Sequence, residues 1–219
     1  MSGWLARRQK LLLQPAAKPL LFTLCLLPFA WLFYRALNNQ LGANPAEALI
    51  RATGDWTLRF ICIVLAVTPL RVISGISALA RFRRMLGLFV YFYAVIHLLS
   101  YSWFDMGFDV ADIARDIAKR PFILVGFSAF ALLTPLAATS LNAAIKAMGA
   151  KRWQLLHKLV YLIVGLGILH FFWMRAGKND FAEVFVYGAI VATLLGWRLW
   201  NHWAKARRRA SPNPAVAAR

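Results

Sequence analysis

Three histidines, His97, His157 and His170, lie inside apolar stretches long enough to cross a bilayer. A polar ring at that depth costs several kcal/mol unless a ligand or partner offsets it, so each is a candidate functional side chain. Neutral imidazole is the commonest metal ligand and a standard axial ligand of haem iron. His157 and His170 share one stretch, thirteen residues apart. That interval is ~20 Å of helix rise, most of the hydrocarbon thickness. The spacing suits two redox centres stacked across a membrane, one near each face. The fourth histidine, His202, lies beyond the last apolar stretch near Lys205 and reads as an ordinary interfacial residue.

The elements that must position these rings follow from composition. The chain has 219 residues, 61% of them hydrophobic, and a mean hydropathy of +0.59. That is the composition of an integral membrane protein. Six spans are predicted, at 20–37, 56–73, 85–104, 121–141, 153–174 and 181–200, which makes the fold an all-α polytopic membrane helix bundle. The domain organisation is then a cytoplasmic N-terminal segment at 1–19, a six-helix unit at 20–200 and a basic, partly disordered tail at 201–219. Pro28 and Pro69 interrupt the first two spans. A Thr-Pro-Leu echo, Thr68-Pro69-Leu70 and Thr134-Pro135-Leu136, fits two similar helix hairpins packed side by side.

The formal charge of +18 is distributed in the way that excludes nucleic acid as its target. With both termini cytoplasmic, most Lys and Arg fall in cytoplasmic segments, while all eight Asp and Glu fall at or near the opposite face. This is the positive-inside pattern, and the basic tail reads as an anchor at anionic lipid. The N-terminus resembles a signal peptide but no small-residue cleavage site follows, so it is expected to remain as the first helix. Cys25 and Cys62 lie in spans and form no CxxCH, which excludes c-type haem attachment. No GxGxxG or P-loop pattern occurs in the sequence, so electrons must come from another molecule. Asp105, Asp109, Asp112 and Asp116 would share one face of a short surface helix over 108–119, either as a solvated acidic face or as a docking patch for a basic outer partner.

In this orientation His97 and His170 lie at similar heights in the outer half, on two different helices, and can clamp one haem iron between them. His157 is left near the cytoplasmic face. Counting back from His97 by the same interval reaches Arg84 and Arg83. A guanidinium has no lone pair to offer in its normal state, so Arg83 is expected to pair a haem propionate or to act as an unusual ligand. Thirteen ideal helical residues turn through a net ~220°, so His157 and His170 would not share a face of a straight helix. Gly165 and Gly167 between them are the expected site of a bend.

Three blocks carry a family resemblance: Arg83-Arg84-Met85-Leu86-Gly87-Leu88 with Tyr91 and His97; Thr134-Pro135-Leu136-Ala137-Ala138-Thr139-Ser140; and Trp153-Gln154-Leu155-Leu156-His157-Lys158-Leu159-Val160-Tyr161 with His170. With six spans and this length, the chain resembles the MsrQ (YedZ) family, within the ferric-reductase-like transmembrane superfamily. The resemblance implies a bacterial inner-membrane subunit with one or two b-type haems on His97, His157 and His170, and with FMN. It implies electrons from the quinone pool or a cytosolic flavin reductase, delivered to a periplasmic molybdopterin methionine sulfoxide reductase, MsrP. The wider superfamily of NADPH oxidases uses four histidines; here arginine stands at the level of the fourth.

Two other readings of the residues stay open at this point. One is a free-standing ferric or quinone reductase of the same fold. The other, from a different class, is a haem-free transporter or sensor with a histidine proton relay.

Overall fold

The computed structural model describes residues 3–177 and 179–210 and contains no strand among them. A short helix, α1 (Gly3–Leu13), precedes α2 (Ala17–Leu37) and α3 (Pro45–Ser74). A 3-10 turn at Ser77–Phe82 feeds α4 (Arg83–Phe104), and a short α5 (Val110–Lys119) leads into α6 (Pro121–Ala138). After α7 (Asn142–Met148) come α8 (Ala150–Leu156), a 3-10 segment at His157–Leu159, α9 (Val160–Ala176) and α10 (Ala182–Ala210). Six of these units are long and apolar enough to cross a membrane, as the sequence predicts; the protein is a multi-pass membrane protein.

The largest departure from expectation is α3, which begins at Pro45 rather than near residue 56. Asn44 accepts the Glu47 backbone N–H at 3.1 Å, and proline occupies the first turn, where its missing N–H costs nothing. Glu47 then pairs with Arg51 one turn on, at 2.5 Å. Charge in this stretch hides a helical start from hydropathy, although the helix is uninterrupted. At the other end, α10 runs past Trp200 to Ala210. The remainder of the expected disordered tail, 211–219, lies outside the described residues.

Two antiparallel hairpins form the centre. α4 packs along α3, α9 packs along α6, and α10 leans on α3 and α9. The core between them is aromatic, with Phe60 stacked on Tyr93 at 5.1 Å and on Phe89 at 5.7 Å. Tyr93 is fully buried. Its hydroxyl accepts the Phe29 N–H and donates to the Cys25 carbonyl, occupying the gap opened in α2 by Pro28. This is why the proline does not end the helix. The outer face of α2 is exposed leucine and tryptophan, the surface a helix presents to lipid.

The ends of the bundle differ sharply. One end carries α5 and the turn between α9 and α10, where buried Arg175 bonds Asp180 at 2.7 Å and Glu183 at 2.6 Å. The other is basic: Arg81 donates to the Leu12 carbonyl at 2.7 Å and Arg84 to Asn142 at 2.5 Å.

Candidate functional site

Near the acidic end, His97 of α4 and His170 of α9 face one another across the bundle. Their ring centroids are 6.2 Å apart and their planes meet at 75°. An imidazole–metal bond is ~2 Å long, so two imidazoles bound to one metal from opposite sides have ring centres roughly 6 Å apart. The observed spacing matches that value.

The two rings are held in the same manner. His97 Nδ1 donates to the Ile50 carbonyl of α3 at 2.8 Å, and His170 Nδ1 donates to the Phe122 carbonyl of α6 at 2.7 Å. A carbonyl only accepts, so the proton sits on Nδ1 in each case and the Nε2 lone pair is left for a metal. A carbonyl that accepts from the far ring nitrogen also fixes ring orientation and raises ligand basicity. Four residues after each carbonyl stands a glycine. A Cβ on Gly54 would come 3.1 Å from His97 Cε1, and a Cβ on Gly126 would come 2.7 Å from His170 Nδ1. The bare backbone at these positions is what lets each imidazole reach its carbonyl.

The histidines open into a cavity of about 620 Å³, within the range of cofactor sites. Its walls are mostly apolar, from Leu58, Ile61, Phe130, Leu133 and Ile163, with Arg51, Asp55, Asp105 and Arg120 also on the lining. α5 covers part of it: Ile117 faces in, and Tyr101 donates to Asp116 at 2.5 Å. Arg120 also pairs with Asp116. Burial pushes the Asp116 carboxyl up, but the Arg120 and Tyr101 hydrogen bonds outweigh it and hold the group below its usual range. The Arg120 guanidinium is correspondingly raised by the same carboxylate.

The chemistry of this donor set is specific. A bare metal ion asks for three or four protein ligands, and among the described residues no three His, Cys, Asp or Glu side chains converge to hold one. Two opposed imidazoles in an apolar cavity are what a porphyrin iron requires, since the macrocycle supplies the other four nitrogens. The site fits haem.

His157 stands elsewhere, in the 3-10 segment toward the basic end and outside this cavity. Trp153 packs on its ring at 4.0 Å. Its Nε2 lies 3.3 Å from the Thr139 hydroxyl, which itself donates to the Pro135 carbonyl at 2.6 Å. His157 and His170 thus both meet α6, despite the angular offset of a straight helix. His157 lies in a 3-10 turn at His157–Leu159, and Gly165 and Gly167 lie inside α9. Arg83 is exposed at the first turn of α4.

The sequence singles out the three histidines and Arg83; the structure brings His97 and His170 together and adds Gly54, Gly126, the Ile50 and Phe122 carbonyls, Arg51 and Arg120, which the sequence does not mark. No signal in one sequence tells Gly54 or Gly126 from the other glycines of the spans.

Comparison with known proteins adds an independent line. The family model described as ferric reductase like transmembrane component matches residues 53–168. A protein-methionine-sulfoxide reductase heme-binding subunit MsrQ from Polaromonas naphthalenivorans (strain CJ2) is 84% identical over 216 residues, 99% of each chain. Its namesake from Herminiimonas arsenicoxydans is 55% identical over 91% of this chain and 90% of its own. Magnetosome protein MamZ from Magnetospirillum gryphiswaldense is 44% identical over 84% of this chain, which is 29% of that longer protein. No solved structure matches the chain.

Proposed function

The chain belongs to the MsrQ family of ferric-reductase-like membrane proteins, and from that premise we propose that it is the haem-binding, electron-transferring membrane subunit of a protein-methionine-sulfoxide reductase system. The observation that carries this reading is the His97–His170 pair, with both Nδ1 protons committed to carbonyls and the rings 6.2 Å apart. A b-type haem bound there supplies a one-electron carrier whose potential its ligands and surroundings set. The residues of the chain do the rest. His97 and His170 bind, Ile50 and Phe122 orient the rings, Gly54 and Gly126 make room, and the apolar wall keeps water away.

In the proposed orientation the basic end and both termini face the cytoplasm of a bacterial inner membrane, which the charge asymmetry supports. Electrons arrive there from the quinone pool or a cytosolic flavin reductase, FMN serving on that side as the family resemblance implies. They leave at the acidic end, toward the periplasmic molybdopterin reductase MsrP. Asp109 and Asp112 are exposed on α5 near that exit, a charge pattern suited to steering a basic partner surface. His157, with Arg83, is the candidate for a second haem near the basic end.

The test is spectroscopic. Purified protein is expected to show a Soret band, and its reduced spectrum should be lost when MsrP and a methionine sulfoxide substrate are added. Absence of a Soret band would remove the redox reading and leave a histidine proton relay. Reoxidation by a ferric chelate but not by MsrP would favour a free-standing reductase.

A further inference from the structure

The cavity that holds His97 and His170 changes character along its length. Leu58, Ile61, Phe130, Leu133 and Ile163 form its apolar wall, whereas Arg51 and Arg120 line it near the starts of α3 and α6, toward the acidic end. Besides the histidines, these two arginines are the only basic side chains on the lining among the described residues. Each sits by one of the carbonyls that orient the rings. Arg51 directly follows Ile50, whose carbonyl takes the His97 Nδ1 proton. The Arg120 guanidinium lies 5.6 Å from the ring centre of Phe122, whose carbonyl takes the His170 Nδ1 proton. The Phe122 ring is in turn 6.1 Å from the His170 ring.

Neither arginine is exhausted by its acid. Arg51 meets Glu47 at 2.5 Å and Arg120 meets Asp116, each through Nη2, and a guanidinium carries five N–H donors. Part of Arg120 is exposed, yet its Nε is buried and has no acceptor. A buried donor without a partner is costly. Among the described residues Arg175 Nε and Arg198 Nη1 share that condition, but neither residue lines the cavity. Asp55 and Asp105 also stand on the lining, so a carboxylate entering there is repelled except beside the two arginines. Arginine forks match carboxylate oxygens, and such charge-assisted bonds are the strong ones.

We propose that Arg120, through its Nε, and Arg51 bind the two carboxylate arms of the porphyrin held by His97 and His170, turning its acid edge toward the acidic end and its apolar edge into the bundle. The inference rests on the haem reading of that histidine pair and deepens it: the site selects a dicarboxylate macrocycle in one orientation.

The experiment uses the full chain with its haem and compares the wild type with R120Q, R120K, R51Q, D116N and H97A. Each is also combined with H157A, so that only the paired-histidine site contributes. Two quantities are read: the propionate bending band in the resonance Raman spectrum, and the rate of haem loss to apomyoglobin. R120Q and R51Q are expected to shift the band and to release haem about tenfold faster, the worth of one charge-assisted hydrogen bond. R120K should lie nearer to wild type. D116N frees α5 but leaves Arg120 in place, and should keep the wild-type band. An unshifted band in R120Q would overturn the proposal, whatever R51Q does. So would a D116N protein that shifts the band and loses haem as R120Q does, because Arg120 would then be only a tether for α5. The two levels of the argument separate in H97A. Full haem retention by H97A in the H157A background would remove the histidine-pair reading and this proposal with it. Haem loss in H97A beside an unshifted R120Q band would remove the arginine assignment alone.

Discussion

At the scale of single residues, the site is one device used twice: an imidazole, a helix carbonyl, and a glycine four residues after that carbonyl. The histidines were legible in the sequence because a polar ring in an apolar span has few bland explanations. The glycines were not, since their role depends on which neighbouring helix faces them. The two glycines should differ in sensitivity. At Gly126 an added Cβ would meet the imidazole at 2.7 Å, while at Gly54 it would meet it at 3.1 Å. Overpacking of this kind costs about 1–3 kcal/mol, and 1.4 kcal/mol is tenfold in affinity. G126A is therefore expected to lower haem retention about tenfold or more and to weaken the low-spin signal. G54A should show a smaller loss, because the His97 ring has only to give by a few tenths of an ångström. Haem dissociation to apomyoglobin measures both; a G54A protein losing haem faster than G126A would contradict the packing assigned here.

At the scale of elements, hydropathy located the six spanning units but misplaced the start of α3, because Glu47, Arg51 and Asp55 look like a loop. They lie on a capped helix whose charged first turns line the cavity. Pro28 breaks the hydrogen-bond ladder of α2 in the sequence, and the structure shows Tyr93 filling the gap. The acidic surface helix was legible from the four-three-four spacing of its aspartates, although the structure gives them separate tasks. Asp109 caps α5 and Asp116 ties it to Tyr101 and Arg120. That tie should be pH-dependent. Asp116 is held below its usual range in the folded protein, so its contribution is present above ~pH 4, the ordinary aspartate range, and is lost as pH falls through the depressed value. Arg120 is 42% exposed and Asp116 16%, so screening limits the worth of the pair to about 1 kcal/mol. A spin label at Ala114→Cys is expected to become mobile on acidification below pH ~4. In D116N the label should already be mobile at neutral pH. A label with the same mobility in D116N and wild type would mean that other contacts hold α5.

At the scale of the whole molecule, the asymmetry of charge and the antiparallel packing of the two hairpins together set which ring meets which. Placing both termini and the 75–82 turn in the cytoplasm puts His97 and His170 near the periplasmic face. Reporter fusions at the C-terminus and in the 105–109 loop should report cytoplasm and periplasm respectively; the reverse pattern would exchange the entry and exit ends of the electron path. The sequence made this alignment of heights readable through helix rise alone. It did not show that His157 sits in a 3-10 turn beside Thr139 at the end of α6, because that turn has no marker in the chain. The most direct test of the central claim is the low-temperature EPR spectrum of H97A beside that of H170A. Rings meeting at 75° should give one strongly anisotropic low-spin haem signal. Both variants are expected to lose that same signal and to keep any component that depends on His157. If the two variants lose different components, or either retains the full low-spin signal, His97 and His170 do not share an iron.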